Sequence, residues 1–396
     1  MINPYITEKL NPLFVIDESR RKELLLEAEK IPSLIISSAA ASNAVMLASG
    51  YFNPLKGYMN LTEVLSVAEK MQLPSGILWP IPVVNLVKEN NFSKEVVKSV
   101  GKIALRDPNV EGNPIIAIQS VEKIEKINEK FYSTVLEKTF GTTSLDHPGV
   151  STFIDSGDTL ISGPIEVLNY SYFSTDFPDT FKTAVEIRKE IDERGWEKVV
   201  AFQTRNPMHR AHEELCRMAQ KELNADGILV HMLLGKLKKD DIPAEVRNES
   251  IRKMVQLYFP KNTVMIAGYG FDMLYAGPRE TVLHAIFRQN SGCSHLIVGR
   301  DHAGVGDYYG AFDSQTIFDI LPSESLQIEI FRGDHTVWCH KCEKVVMMRD
   351  CPHGNDNYLL ISGTRFRELL SLGEEIPTEF SRPEVVEILS KYYQTL

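Results

Sequence analysis

The chain has 396 residues, 43% of them hydrophobic and 24% charged, and its formal net charge is −10. This length predicts two or three domains with sizeable cores, and the composition is ordinary for a globular protein. A surplus of acidic side chains argues against non-specific binding to nucleic acid, so an anionic ligand needs a local positive site. Residues 1–14 do not read as a secretion signal, and no apolar run in the sequence reaches membrane-spanning length. We therefore expect a cytoplasmic protein with no membrane partner.

The first 165 or so residues carry short β-like runs separated by turn residues. This pattern predicts a β-rich domain of barrel-like character. The runs lie at 81–87, 102–105, 115–118 and 159–161, and helical patterns interrupt them at 17–29 and 61–70. Glycines and acidic residues at 155–164 indicate the end of this unit.

From about residue 173, helical and strand-like segments alternate, which predicts βαβ units around a parallel sheet. The predicted helices lie at 183–193, 207–222, 244–258 and 279–289, and the predicted strands at 199–202, 227–231, 263–266 and 295–298. A third segment, from about residue 333, contains a cysteine cluster and ends in a helical pattern. We therefore expect an α/β protein with domains at 1–170, 171–332 and 333–396.

The segment 203–213 directly follows the predicted strand 199–202 and reads Gln-Thr-Arg-Asn-Pro-Met-His-Arg-Ala-His-Glu. Asn206 is predicted to cap a helix, with Pro207 at the first helical position, where its missing N–H is not needed. The start of a helix presents free backbone N–H groups and the positive end of its dipole. Both features attract phosphate or sulfate.

Side chains that suit oxyanions converge on this helix start. His209 and His212 are expected on the same side of the first turns, Arg205 offers a bidentate guanidinium, and Gln203 offers an amide donor. A pair of histidines alone is more often two ordinary half-buried residues, and the His-Glu-x-x-His spacing of zinc proteases is absent from the segment. Because ligands bind at the carboxyl ends of strands in open α/β sheets, we interpret the segment as an anion site.

A second polar turn, Gly-Arg-Asp-His-Ala-Gly-Val-Gly at 299–306, follows the predicted strand 295–298. Its glycines let the backbone approach a ligand closely, and Arg300 and His302 can neutralise phosphate oxygens. A third turn at 361–367 has Thr364 as a candidate helix cap, with Arg365 facing either solvent or an anion.

A group of charged residues follows the strand 227–231. It fits either a mobile lid over a polyphosphate or a solvated run of charge. Its members are Lys236, Lys238, Lys239, Asp240, Asp241 and Arg247.

The odd number of cysteines, five in a large chain without a secretion signal, does not suggest a disulfide framework. Cys339-x-x-Cys342 and Cys351-x-His353 supply four ligands within fifteen residues, a set that suits tetrahedral zinc. Four protein ligands close the coordination shell, so the predicted Zn²⁺ is structural. A reduced thiol cluster, a redox pair and ligation by His340 remain alternatives.

The chain resembles the ATP sulfurylase (sulfate adenylyltransferase) family over nearly its whole length. The motifs that carry the resemblance lie at 50–57, 78–83, 147–149, 199–212, 275–280, 299–304 and 361–365. The combination of Gln-Thr-Arg-Asn-Pro with Gly-Arg-Asp-His-Ala-Gly is highly specific. The resemblance implies an N-terminal PUA-like β-rich domain, a Rossmann-like parallel-sheet nucleotidyltransferase domain and a small C-terminal domain.

The resemblance also implies roles for individual residues. It assigns sulfate binding to Gln203, Arg205 and the backbone of Ala303. The residues matching the family's catalytic positions are Thr204, Arg205, Asn206, His209 and His212. The residues matching its ATP-binding positions are Gln203, Thr204, Arg205, Asn206, Gly299, Arg300, Asp301, His302 and, against the adenine, Val346.

The reaction that the resemblance implies is direct attack of a sulfate oxygen on the α-phosphorus of ATP, giving adenosine 5′-phosphosulfate and pyrophosphate. Mg²⁺ is expected to accompany ATP, and a homodimer is expected from the family. The sequence contains no Gly-x-x-x-x-Gly-Lys-[Ser/Thr] motif, so we expect no fused kinase domain. Two alternatives are a nucleotidyltransferase acting on a phosphate ester and a non-catalytic nucleotide- or RNA-binding protein.

Overall fold

The computed structural model describes residues 1–238 and 241–395, without the side chains of Glu95, Val96 and Thr364. Two residues of the charged group, Lys239 and Asp240, thus lie outside the described residues. Among the described residues, no helix combines the length and the apolarity needed to traverse a bilayer.

The N-terminal part of the chain folds around a seven-stranded sheet. Its strands are β1 (Ser33–Ile35), β2 (Gly57–Tyr58), β3 (Leu86–Val87), β4 (Lys102–Arg106), β5 (Ile115–Ser120), β6 (Lys123–Lys126) and β7 (Thr159–Val167). Its helices are α1 (Glu18–Ala28), α2 (Ser38–Ala48), α3 (Leu61–Lys70), α4 (Lys94–Val100), α5 (Glu129–Phe140) and α6 (Pro148–Asp155). The strand order is β1-β4-β5-β7-β2, and β3 and β6 also pair with β7.

The predicted β-rich character is confirmed, but two details of the prediction are wrong. Residues 155–164 do not end this unit, because β7 runs through them and pairs with four other strands. Gly163 is required there, since a Cβ on it would lie 2.0 Å from the carbonyl oxygen of Ser120. The run 81–87 is a strand only at its end, where the prolines at 80 and 82 no longer remove ladder N–H groups.

The second part of the chain begins at about residue 173. Its helices are α7 (Phe173–Asp176), α8 (Ala184–Glu193), α9 (Arg210–Leu223), α10 (Ala244–Tyr258), α11 (Gly277–Asn290) and α12 (Asp313–Thr316). Its strands are β8 (Val199–Thr204), β9 (Gly227–Leu233), β10 (Val264–Tyr269), β11 (His295–Val298) and β12 (Glu329–Arg332).

The five strands β8–β12 form one sheet in the order β10-β9-β8-β11-β12, and every pair in it is parallel. The predicted parallel sheet is therefore confirmed. Successive strands proceed in one direction from β8 to β10 and then in the other from β11, so the order reverses between β8 and β11. Phe202 pairs with Ile297, which places the carboxyl ends of these two strands side by side.

The last part of the chain forms a small antiparallel sheet and two helices. These elements are β13 (Thr336–Cys339), β14 (Lys344–Met347), β15 (Tyr358–Leu359), α13 (Gly363–Leu372) and α14 (Pro383–Tyr393). Short 3₁₀ turns lie at Glu89–Asn91, Ile317–Asp319, Met348–Asp350 and Asn355–Asn357.

The cap of α13 differs from the predicted one. Ser362 caps this helix by accepting a hydrogen bond from the backbone N–H of Arg365, so Thr364 lies inside the helix rather than before it. The side chain of Arg365 pairs with Glu368 and Glu374 at 2.8 and 3.1 Å, and so belongs to the surface rather than to an anion site.

Candidate active site

A cleft of about 340 Å³ opens at the carboxyl ends of β8 and β11. The residues that line it follow the carboxyl ends of three strands. Those after β8 and β11 are the two predicted polar turns, and the third group follows β12 and consists of Asp334, His335 and Thr336. Except for Val346, every residue that the sequence assigned to sulfate, ATP or catalysis lines this cleft. The reversal of strand order thus coincides with the site, as expected for ligand sites in open α/β sheets.

The turn after β8 is built differently from the prediction. Helix α9 begins at Arg210 with His209 as its N-cap, so Asn206 and Pro207 precede the helix instead of starting it. The cause is a local hydrogen-bonded turn. The hydroxyl of Thr204 donates to the carbonyl of Asn206 at 2.7 Å and accepts from its N–H at 3.1 Å. This exchange satisfies the backbone of the turn and delays the helix by three residues.

The two histidines at the start of α9 lie against each other, with ring centroids 4.0 Å apart. Nδ1 of His212 accepts a hydrogen bond from the backbone N–H of His209 at 3.4 Å. Burial lowers the pKa of His212 to about 4. Burial, then the charges of His212 and His335, hold the pKa of His209 well below its ordinary value. Both rings are therefore neutral near neutral pH unless an anion lies beside them.

Arg205 is held in place from three directions. Its guanidinium lies 3.2 Å from the carboxylate of Asp241, donates to the carbonyl of Gly304 at 3.3 Å, and lies over the ring of Tyr275 at 5.1 Å. The Tyr275 hydroxyl in turn donates to Asp241 at 3.3 Å and accepts from the backbone N–H of Lys238 at 2.8 Å. These contacts fix the direction of the guanidinium before any ligand binds.

Two described members of the charged group 236–247 make contacts that neither alternative predicted. Asp241 contacts the cleft through Arg205. Arg247 is buried and donates to the backbone carbonyls of Leu233 and Ile242 at 2.7 and 2.9 Å, so it belongs to the core.

The turn after β11 has an unusual backbone conformation. Asp301 and Ala303 both adopt positive φ, at 55° and 57°, in the left-handed region that non-glycine residues rarely occupy. Strain of this kind is common where a backbone must fit a ligand. Arg300 is half exposed and lies 3.2 Å from Asp301, so its guanidinium remains accessible to an anion.

Sequence reasoning missed the residues after β12. Asp334, His335 and Thr336 line the cleft beside the predicted turns. The available signal was Gly333-Asp334-His335, a third glycine and histidine turn at a strand end. Because β12 was not identified as a strand of the sheet, the turn carried no positional meaning.

Val346 lies away from the cleft. It is buried in β14 opposite Val337 and lines a different pocket together with Cys342 and Cys351. The structure therefore brings together the residues of the two turns and does not bring Val346 to them.

The cysteine cluster converges on one point. Cys342 and Cys351 have sulfurs 3.8 Å apart, and Nδ1 of His353 lies 3.4, 3.3 and 3.6 Å from the sulfurs of Cys339, Cys342 and Cys351. These four ligand atoms lie within 4.8 Å of one another and are able to hold a metal ion. His340 is exposed and stands outside the group, which removes it as a competing ligand.

A parallel sheet with phosphate-type turns at its switch point, beside a β-rich N-terminal unit, defines a nucleotide-binding α/β protein. The family model of ATP-sulfurylase matches residues 178–392, and that of the PUA-like domain matches residues 2–170. The chain belongs to the ATP-sulfurylase family. The resemblance seen in the sequence is thereby confirmed.

Similar proteins cover the whole chain. A sulfate adenylyltransferase of Alcanivorax borkumensis is 61% identical over 100% of this chain and 98% of its own length. One of Allochromatium vinosum is 58% identical over 100% of this chain and 99% of its own length. The solved structure of a hexameric APS kinase from Thiobacillus denitrificans has a TM-score of 0.75 at 23% identity, covering 99% of this chain and 68% of that chain. At that identity the likeness shows a common fold only.

Proposed function

We propose that the chain is a sulfate adenylyltransferase, a nucleotidyltransferase of sulfur metabolism that converts ATP and sulfate reversibly into adenosine 5′-phosphosulfate and pyrophosphate. The observation that carries the proposal is the meeting of the Arg205 turn and the 299–304 turn in one cleft. Sulfate adenylyltransferases 58% and 61% identical to the whole chain support it.

The sulfate subsite is proposed at Arg205, Gln203 and the backbone of Ala303. Asp241 and Gly304 use two of the five N–H groups of Arg205, so three remain for a sulfate. Nε2 of Gln203 is buried and forms no hydrogen bond of good geometry within the described part of the chain, although the side chain interacts with Tyr269. A bound oxyanion would accept a hydrogen bond from this donor. A buried donor that is left without a partner costs free energy.

The nucleotide subsite is proposed at Gly299–His302 and at His209 and His212, the two histidines at the start of α9. Neutral imidazoles and backbone N–H groups there are hydrogen-bond donors for phosphate oxygens, and Arg300 adds a positive charge. We place Asp334, His335 and Thr336 beside the nucleotide, because they line the same cleft. Adenine contact by Val346 remains a proposal from the family resemblance alone.

The proposed reaction is direct in-line transfer. Sulfate is ionised near neutral pH, so the site must align two anions and neutralise their charge rather than deprotonate a nucleophile. Arg205 would hold sulfate, while His209, His212, Asn206 and Arg300 would stabilise the charge that leaves with pyrophosphate. The Thr204 hydroxyl is already bonded to the backbone of Asn206, which disfavours it as a covalent nucleophile. Mg²⁺ bound through the phosphates would offset part of their charge.

The metal proposed for the cysteine cluster is structural Zn²⁺. Tetrahedral zinc, with bonds of about 2.3 Å to sulfur and about 2.0 Å to nitrogen, places two sulfurs about 3.8 Å apart and a sulfur and a nitrogen about 3.5 Å apart. The distances between Cys342 and Cys351 and from His353 to the three sulfurs match these values. Four protein ligands leave no open position for substrate.

Three further proposals rest on the family resemblance and the composition: a cytoplasmic location, a homodimer, and domain boundaries after residues 170 and 332. The three sheets of the fold support the division, because each lies within one of the proposed domains, and β12 ends at residue 332, next to the second boundary.

The proposed reaction predicts that the purified chain releases pyrophosphate from MgATP only when sulfate or a mimic such as molybdate is present. It should also form ATP from adenosine 5′-phosphosulfate and pyrophosphate. A coupled pyrophosphate assay checks both directions. Release that does not depend on sulfate, but does depend on an added phosphate ester, would favour a different nucleotidyltransferase.

The sulfate subsite predicts that Arg205→Lys lowers kcat/KM for sulfate by at least about ten-fold, roughly 1.4 kcal/mol of transition-state stabilisation. The ammonium keeps the charge but loses the planar fork. Arg365→Lys, which alters a surface arginine paired with Glu368 and Glu374, is the matched control and should leave the kinetics unchanged. Normal kinetics in the Arg205 variant would mean that this arginine does not bind sulfate.

The metal cluster predicts one zinc per chain by elemental analysis. His353→Gln and Cys342→Ser should lose the metal and lower thermal stability, because metal binding contributes directly to folding. His340→Gln changes a neighbouring exposed histidine outside the cluster and should keep both. The folded fraction of the cluster variants should still turn over sulfate. Loss of turnover at unchanged stability would place the metal in the chemistry instead.

A further inference from the structure

Three side chains lead in succession from the interior of α11 to the cleft. Nε2 of His302, in the turn after β11, lies at a hydrogen-bond distance of 3.1 Å from Nδ1 of His284. Nε2 of His284 is buried without a hydrogen-bond partner among the described residues, and Oε1 of Glu280 lies 3.6 Å from it, slightly beyond hydrogen-bond distance. Glu280 and His284 are completely buried and stand four residues apart on one face of α11. His302 lines the cleft. Its other nitrogen, Nδ1, has no hydrogen-bond partner in the described part of the chain.

The carboxyl group of Glu280 has few polar partners for a buried acid. Its two oxygens accept hydrogen bonds from the backbone N–H groups of Leu274 and Ala276, at 3.2 and 3.0 Å. No lysine or arginine among the described residues forms an ion pair with it. Burial raises the pKa of Glu280 to about 7, so its proton exchanges near neutral pH.

The two imidazoles are neutral in that range. The pKa of His302 is lowered to about 3, first by burial and then by Arg288 and Arg205. Burial, followed by the charge of Arg288, holds the pKa of His284 well below its ordinary value. The charged and titratable side chains that face the three groups are Arg205, His231, Tyr269, Arg288 and Tyr309.

Two neutral imidazoles that share a hydrogen bond have two arrangements. With Glu280 ionised, His284 directs Nε2–H to the carboxylate, and the present separation of 3.6 Å must shorten to about 3.2 Å or less for this hydrogen bond to form. Nδ1 of His284 then accepts Nε2–H of His302. Nδ1 of His302 is then without a proton. With Glu280 protonated, its O–H is donated to Nε2 of His284, and Nδ1–H of His284 is donated to Nε2 of His302. Nδ1 of His302 then carries the proton.

One proton converts the first arrangement into the second. It binds Nδ1 of His302, whose Nε2 proton passes to Nδ1 of His284, and the Nε2 proton of His284 passes to Glu280. Each imidazole ring loses one N–H bond and gains another, so both rings remain neutral. Only the carboxylate of Glu280 changes its charge.

We propose that Glu280 and His284 are positioning residues that make His302 a hydrogen-bond donor to the bound nucleotide by this proton relay. The inference rests on the proposed ATP subsite. Phosphate oxygens accept hydrogen bonds, so nucleotide binding favours the arrangement with a proton on Nδ1 of His302. Binding also favours loss of the negative charge of Glu280 near an anion. Both effects have the same sign and raise the pKa of Glu280 in the complex.

Proton uptake is the direct consequence. The free protein binds this proton below about pH 7, and the complex binds it to a higher pH, so uptake on binding is greatest just above pH 7 and small well below it. Calorimetry of MgATP binding at pH 7.5, in buffers with different heats of ionisation, measures it. The wild-type chain should take up a substantial fraction of one proton.

Two variants interrupt the relay in different places. His284→Asn keeps a hydrogen-bonding atom against His302 but cannot pass a proton, and Glu280→Gln removes the titrating group. Each should lose at least about half of the uptake and raise KM for ATP about ten-fold, with KM for sulfate changed less than about two-fold. His295→Asn is the matched control, because it removes a histidine beside Glu329 at the opposite end of β11.

The possible results of these experiments lead to different conclusions. MgATP binding without proton uptake in the wild-type chain overturns the relay, whether or not the variants fold. Unchanged uptake in a folded His284→Asn overturns it as well, because the proton then binds other groups such as the histidines of α9. Nitrogen-15 spectra of the wild-type histidines should show Nδ1 of His302 gaining a proton with nucleotide, which a merely structural contact would not cause. Failure to bind MgATP at all would refute the proposed function instead.

Discussion

The reversal of strand order between β8 and β11 is the constraint on which the cleft depends. Parallel neighbours end at the same edge of a sheet, and the pairing of Phe202 with Ile297 makes these two strands end level with each other. The connections that follow diverge there, which leaves a crevice that the polar turns fill. Residues about a hundred positions apart, such as Arg205 and Gly304, therefore come within hydrogen-bond distance.

Positive charge in this cleft is carried by few side chains. The chain as a whole is acidic, with a formal net charge of −10, and the nearby histidines are neutral because burial lowers their pKa values. A guanidinium left unpaired in such surroundings would cost several kcal/mol. Asp241 offsets that cost for Arg205 while Tyr275 covers one face of the group. The neutral histidines add hydrogen-bond donors without adding repulsion among cations.

The sequence predicted the parts of the site that are local and missed those that are long-range. The strand and turn at 199–206 and at 295–304 could be read because apolar runs, glycines and histidines are adjacent in the chain. The contact between Arg205 and Asp241 spans 36 residues and depends on the path of the loop before α10. The start of α9 was misplaced because Thr204 closes a turn that competes with the helix. Helix α2 was missed because it is rich in alanine and serine and eight of its eleven residues are buried, which leaves no amphipathic period.

The cysteine cluster and the cleft are connected by strand β13. Thr336, at the start of β13, lines the cleft, and Cys339, at its end, is a cluster residue about 10 Å away along the strand. The same sheet supports α9, since Arg210 lies over the ring of Trp338 at 5.4 Å. Beside it, Phe380 stacks on His209 with ring centroids 4.8 Å apart. A metal ion held by the cluster would therefore influence substrate binding without contacting the substrate, because it would fix the strand from which Thr336 and its neighbours reach the cleft.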